Sequence, residues 1–159
     1  MKGILRRLCE AVADHLPSRE INGLDGSRYL TKYRLLGTKH GGAHLHLHRF
    51  HRSDEDSALH NHPWSGASLI LVGGYDEESL NQHGRIVRHP CRPGDVNIIA
   101  ASTVHRVELV DGECWTLFLN LPVIQPWGFV DRHTREFTPA PEFFRQKFRA
   151  APPPGASGG

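Results

Sequence analysis

Residues 59–64 read LHNHPW, and this short segment is the most informative part of the chain. His60 and His62 are two positions apart, so both imidazoles point to the same face if the segment is an extended strand. Two neighbouring imidazoles suit zinc, iron, copper or nickel better than calcium or magnesium. The pair therefore indicates a strand that carries part of a metal site.

A third histidine stands in a matching context further along the chain. Residues 93–95 read PGD, which is typical of a tight turn, and residues 102–107 read STVHRV. His105 would open the strand after a second turn, and the apolar residues that alternate with it predict that its ring points into an apolar interior. We therefore predict that His60, His62 and His105 bind one divalent metal ion. The alternative is three structural histidines in a barrel without a metal.

The rest of the sequence predicts an all-β domain with a short helix at each end. Short apolar segments separated by Gly, Asp, Asn and Pro are typical of a β-sandwich or barrel. Helices are expected over residues 2–16, where apolar residues follow one helical face, and over residues 141–148. We treat residues 1–150 as a single domain and expect residues 151–159, APPPGASGG, to be a disordered tail. Eight strands are expected, over residues 29–36, 43–51, 57–62, 67–75, 85–89, 95–99, 104–110 and 114–121.

These features resemble the two sequence motifs of the cupin superfamily. The first motif is a His-x-His pair and a strand that ends in glycine, here His60, His62 and residues 73–75, GGY. The second is a Pro-Gly turn followed by a histidine that opens the next strand, here residues 93–94 and His105.

The resemblance covers roughly residues 45–120 and implies a cupin-type jelly-roll barrel, the double-stranded β-helix. It does not imply one reaction, because cupins include isomerases, decarboxylases, dioxygenases, sugar epimerases and non-enzymatic storage or sensor proteins.

The chain departs from the cupin pattern directly after the histidine pair. Many metal cupins carry a glutamate there as a fourth ligand, whereas residues 63–70 read PWSGASLI and contain no acid. Strand alternation would place Ser68 inside, on the face of Ile70 and Val72, but serine is a poor metal ligand. Three neutral histidines would leave one open position in a tetrahedral site or three in an octahedral one. Such a set resembles the iron site of thiol dioxygenases and related cupin oxygenases, although loss of the glutamate is also a sign of a cupin without metal.

The expected function is that of a metal-dependent enzyme for a small-molecule substrate. Fe(II)-dependent oxygenation is the leading chemistry, and zinc, nickel or manganese are the other candidate metals. The alternatives are a non-redox metal cupin (an isomerase, epimerase or lyase) and a ligand-binding cupin without turnover. Ser68 or Asn61 is expected to fix the orientation of the histidine rings by hydrogen bonds.

Two further residues are candidates for proton transfer. Histidines alternate with leucines over residues 44–48, HLHLH, and the favoured interpretation is that the leucines face the core and the histidines face solvent. If the histidine face lines the barrel mouth instead, His48 is the best candidate for acid–base chemistry or substrate binding. Tyr75 ends the Gly-Gly strand and would either reach a pocket or pack in the core.

Composition and charge argue against several classes of partner. The 159 residues carry a net charge of +2, with 19 basic and 17 acidic residues, which is too balanced for a nucleic-acid-binding surface. The longest apolar runs are too short to span a membrane. Three cysteines without a C-x-x-C pair indicate reduced thiols, and we expect a cytoplasmic protein. A homodimer formed through the segment 29–36 is a further expectation.

Overall fold

The structure is a computed structural model that describes residues 2–23, 25–37, 42–54 and 58–150. Its described residues form two helices and ten strands, and every strand pairing is antiparallel. The predicted β domain with a short helix at each end is confirmed, and the tail over residues 151–159 lies outside the described residues.

In chain order the elements are α1 (Lys2–Ala13), β1 (Ser18–Asn22), β2 (Arg28–Gly37), β3 (His44–Phe50), β4 (Leu59–His60), β5 (Gly66–Leu80), β6 (Ile86–Cys91), β7 (Val96–Ile99), β8 (His105–Asn120), β9 (Gly128–Val130), β10 (Phe137–Pro139) and α2 (Ala140–Ala150).

Two long strands, β5 and β8, organise the sheet. They pair from Gly66 opposite Asn120 to Ser79 opposite His105. β5 also pairs with β6 and β7, and β8 lies between β3 and β4 in the strand order β1-β2-β3-β8-β4-β9-β10. The sheet curls into a half-barrel, so each strand has an inner and an outer face.

Two irregularities in β5 decide which of its side chains point inward. The register with β8 shifts between Ile70 and Val72 and again between Gly73 and Tyr75. Ile70 and Tyr75 consequently pack in one buried cluster, whereas Val72 packs in another, against α1. The expectation that Val72 shares the face of Ile70 is therefore wrong, because strict alternation stops at the first shift.

Helix α1 covers part of the outer face. Cys9 and Ala13, which lie one turn apart, are each 5% exposed and pack against Leu47 and Trp115. Their small side chains let the helix approach the sheet closely. Because Leu47 faces the helix, the next residue, His48, must face the inside of the half-barrel.

The strands at the two ends of the sheet were not predicted. β1, β9 and β10 are short, and the sequence after Pro122 carries no clear alternation. β8 joins two predicted strands into one, because residues 110–113 bulge out opposite the single residue Gly74 without ending the pairing.

Both edges of β2 are occupied within the chain, by β1 and by β3. The segment 29–36 therefore offers no free edge for a dimer, and the homodimer stays a prediction. Neither helix in the described part of the chain is long and apolar enough to cross a membrane.

Gly73 is expected to be essential for the second shift in β5. Its φ is 74°, and a Cβ there would lie 2.1 Å from the carbonyl oxygen of Glu113. Gly73→Ala should lower the free energy of unfolding by about 2–4 kcal/mol, because left-handed strain adds to a backbone clash. Gly84→Ala is the matched control, since its φ is 69° but no atom lies within 4 Å of the added Cβ. Denaturant unfolding measures both variants, and equal losses of stability would contradict the steric account.

Candidate metal centre

Strand β4 places His60 directly opposite His105. The two are register partners where β4 meets β8, and their ring centroids are 5.0 Å apart. The other edge of β4 pairs with β9, through His60 and Phe129. A strand of only two residues is thus held on both sides, and His60 and His105 stand side by side because of it.

His62 reaches the same point although β4 ends at His60. The amide nitrogen of Asn61 donates to the carbonyl oxygen of Gly128 at 3.2 Å, and the Gly128 amide donates to Oδ1 of Asn61 at 2.8 Å. The side-chain amide of Gln125 donates to the His62 carbonyl oxygen at 2.8 Å. The segment after Pro122 therefore fixes His62. Asn61 was expected to orient a histidine ring, but its side chain instead accepts a hydrogen bond from the backbone amide of Gly128.

The three predicted ligands come together in a geometry that fits one metal ion. Their ligand atoms all lie within 4.8 Å of one another, and the group contains no carboxylate or thiolate among the described residues. Nε2 of His62 and Nε2 of His105 are 2.8 Å apart. Two nitrogens at about 2.1 Å from one metal, at right angles, would lie about 3.0 Å apart. The donor set and the spacing therefore suit a divalent transition metal.

Burial keeps the imidazoles of His60 and His62 neutral. It lowers the pKa of His60 to about 4, although the nearby carboxylate of Asp54 acts in the opposite direction. Burial, followed by the proximity of His105 and His60, lowers the pKa of His62 well below its ordinary value. Neutral rings keep the lone pairs that a metal requires.

A buried carboxylate on β5 orients His105. Glu77 is 6% exposed and accepts hydrogen bonds from Nδ1 of His105 and, at 3.0 Å, from the side-chain amide of Asn97. Burial raises the pKa of Glu77, but the hydrogen bonds from His105 and Asn97 outweigh that effect, so the pKa is lowered. The carboxylate assigns the proton to Nδ1, which leaves the Nε2 lone pair of His105 directed at His62.

A second carboxylate lies behind His60. Oδ2 of Asp54 is 3.8 Å from Nδ1 of His60, too far for a hydrogen bond. Asp54 is held by the amide of Val107, at 2.7 Å, and by the hydroxyl of Tyr29. It therefore acts on His60 through its charge.

Sequence reasoning did not find Glu77. Ser68 is 3% exposed and faces inward as expected, and strict alternation over nine positions would place Glu77 on the opposite face. The register shifts around Gly73 bring both residues inside. The glycine pair at 73–74 is the one signal in the sequence that alternation breaks in this strand.

The three histidines line an inner cavity of about 370 Å³. This volume suits a small molecule, and most of the remaining walls are apolar or aromatic. Trp64 stacks on His62 with ring centroids 4.3 Å apart and meets Phe118 at 5.1 Å. Trp64 and Phe118 therefore form an aromatic wall beside His62.

His48 also lines the inner cavity. It is 3% exposed, and neither of its ring nitrogens has a hydrogen-bond partner in the described residues. Burial lowers its pKa well below the ordinary value, so the ring is neutral. The favoured expectation of a solvent-facing histidine is therefore wrong for His48, because α1 covers the leucine face and leaves the histidine face inside.

Tyr75 and Ser68, the other two candidate residues, lie together on the cavity wall. The Tyr75 hydroxyl accepts a hydrogen bond from the Asn97 amide at 3.2 Å. Burial raises the pKa of Tyr75, so the phenol keeps its proton. The side-chain amide of Asn97 donates to both Tyr75 and Glu77. Because Glu77 also bonds His105, Asn97 connects Tyr75 to the candidate metal centre. The predicted ring-orienting role of Ser68 is taken by Glu77 instead.

No protein-family model and no curated protein matches the chain. Solved structures do share its architecture. Fe(II)-HppE with an alternative substrate aligns with a TM-score of 0.55 and 14% identity over 69% of this chain and 57% of that chain. DMSP lyase DddQ from Ruegeria pomeroyi DSS-3 aligns with a TM-score of 0.55 and 16% identity over 76% and 63%. A variant of oxalate decarboxylase from Bacillus subtilis aligns with a TM-score of 0.52 and 12% identity over 70% and 28%.

All three proteins have the cupin fold, and the predicted cupin-type jelly roll is therefore confirmed. The chain covers less than two thirds of the length of each of them. At identities this low the likeness establishes the fold alone.

Glu77→Gln should weaken metal binding while leaving the fold intact. The amide has nearly the shape of the carboxylate but lacks its charge, so His105 loses basicity, and we expect Zn²⁺ affinity to fall by about 10- to 100-fold. Competition with a chromogenic chelator measures the affinity. Glu136→Gln, at an exposed position, is the control and should bind like the original protein. Unchanged affinity in Glu77→Gln would contradict its role as the partner of His105.

Proposed function

We propose that the protein is a metal-dependent enzyme that oxygenates a small molecule in an Fe(II)-dependent reaction. The observation that supports this most is the convergence of three histidines at the wall of a largely apolar cavity, without a carboxylate in the group among the described residues. His60, His62 and His105 would hold the ion. Bound Fe(II) supplies the one-electron chemistry that reaction with O₂ requires. The iron named for the HppE structure agrees with this choice.

The other cavity residues have distinct proposed roles. Both ring nitrogens of His48 lack a hydrogen-bond partner in the described residues, so the ring would be the cavity group that accepts a proton from the substrate. Tyr75 keeps its phenolic proton and would donate a hydrogen bond to a substrate oxygen, with Ser68 fixing the hydroxyl. Trp64 and Phe118 would keep bulk water away from the reacting atoms.

A second candidate reaction is non-redox, and His48 is the observation that favours it. An imidazole with unbonded ring nitrogens, in the cavity that the three histidines also line, suits a lyase or isomerase that abstracts a proton, with zinc, nickel or manganese polarising a carbonyl group. The names of two fold neighbours, a lyase and a decarboxylase, agree with such chemistry. The third alternative is ligand binding without turnover.

Oxygen consumption separates these functions. Protein purified anaerobically is loaded with Fe(II) or with Zn²⁺ and mixed with candidate thiols, diketones and amino acids. We expect O₂ uptake that requires both Fe(II) and one class of substrate, because zinc, unlike iron, does not change its oxidation state. His105→Ala, which removes a ligand, should abolish it.

Full product formation by the zinc form without oxygen would contradict oxygenation and support the second candidate. Thermal stabilisation by a ligand, with no product from either metal form, would support the binding function.

A further inference from the structure

A row of polar side chains crosses strands β1, β2 and β3 and lines the inner cavity. Arg19 on β1, Lys32 on β2 and His48 on β3 are successive register partners. Neighbouring strands are about 4.8 Å apart, so Lys32 stands between Arg19 and His48. Exposure falls along the row, from exposed Arg19 through partly buried Lys32 to buried His48, and all three line the inner cavity. The row therefore places one cation, Arg19, at the surface and a second, Lys32, closer to the interior.

These two cations have no counter-charge in the described residues. Neither Arg19 nor Lys32 forms an ion pair there, and no Asp or Glu lines the inner cavity. Burial and the charge of Arg19 lower the pKa of Lys32 to about 8, so its ammonium group stays mostly protonated at neutral pH. A partly buried cation without a partner is unfavourable, and a bound anion would offset that cost.

The approach to Lys32 is basic as well. A second cavity of about 470 Å³ shares Arg19 and Lys32 with the first and is also lined by Arg34, His44 and His46. No acidic residue in the described part of the chain lines this outer cavity either. A surface lined by one sign of charge draws oppositely charged ligands towards it.

We infer that the substrate carries an anionic group, a carboxylate, phosphate or phosphonate, which Lys32 and Arg19 bind while the reacting end lies at the three histidines. The inference rests on the proposal that the inner cavity holds the substrate. Lys32 would donate to the anion from within the cavity, and Arg19 would donate from the more exposed side. The substrate class is thus a small molecule with a negative charge at one end.

Calorimetric titration of the zinc-loaded protein tests the inference without turnover. The probes are malonate and inorganic phosphate, and malonamide is the neutral counterpart of malonate. Lys32→Met should lower the affinity for the tighter-binding of the two anions by about tenfold or more, because one charge-assisted hydrogen bond is lost. Lys32→Arg should retain most of the affinity. Lys147→Met, on α2 and outside both cavities, is the matched control and should bind like the original protein.

The outcomes distinguish this inference from the metal proposal. Loss of anion affinity in Lys32→Met with zinc retained supports the anion site, and the tighter probe identifies a carboxylate or a phosphate-type substrate. Unchanged affinity in Lys32→Met, or malonamide binding as tightly as malonate, would overturn it. If the original protein retains no metal, the proposed function fails, whereas Lys32-dependent anion binding by the metal-free protein would still support the anion site.

Discussion

The hydrogen bond between Glu77 and His105 is the contact that orients the candidate metal centre. A carboxylate can be buried only when donors satisfy it, and Glu77 has two, the ring of His105 and the amide of Asn97. In return the carboxylate fixes which nitrogen of His105 faces His62. A negative charge behind the ligand also raises its basicity, so the bond prepares the site for a cation.

The half-barrel divides the proposed tasks between its two sides. β5 and β7 carry Glu77, Asn97 and Tyr75, a connected network behind the metal centre. β1 and β2 carry Arg19 and Lys32, which also line the inner cavity. A substrate between them would meet protons and hydrogen bonds at one end and positive charge at the other. This division follows from strand order, because each set lies on neighbouring strands.

The sequence was sufficient to select the three candidate histidines because their signal is local. A spacing of two residues places His60 beside His62, and a turn before His105 marks the start of a strand. The antiparallel pairing of β4 with β8 then brings the two motifs together. The cupin resemblance supplied that long-range pairing, which spacing alone does not contain.

The residues that sequence reasoning missed depend on distant contacts. Glu77 points inward only because β5 shifts register near Gly73. His48 is buried because α1 covers the other face of its strand. Lys32 gains its neighbour Arg19 from β1, a strand that was not predicted. Irregular strand pairing, packing of a helix and an added edge strand all depend on residues far apart in the sequence. Alternation within one strand does not predict them.

Metal content of histidine variants tests the central claim most directly. Protein purified anaerobically should hold one metal ion per chain by elemental analysis, and His83→Ala, at an exposed turn, should hold the same. His60→Ala, His62→Ala and His105→Ala should each lose the ion while circular dichroism stays unchanged, because apolar burial rather than the metal stabilises the sheet. Full metal content in any one of these three folded variants would contradict the three-histidine centre.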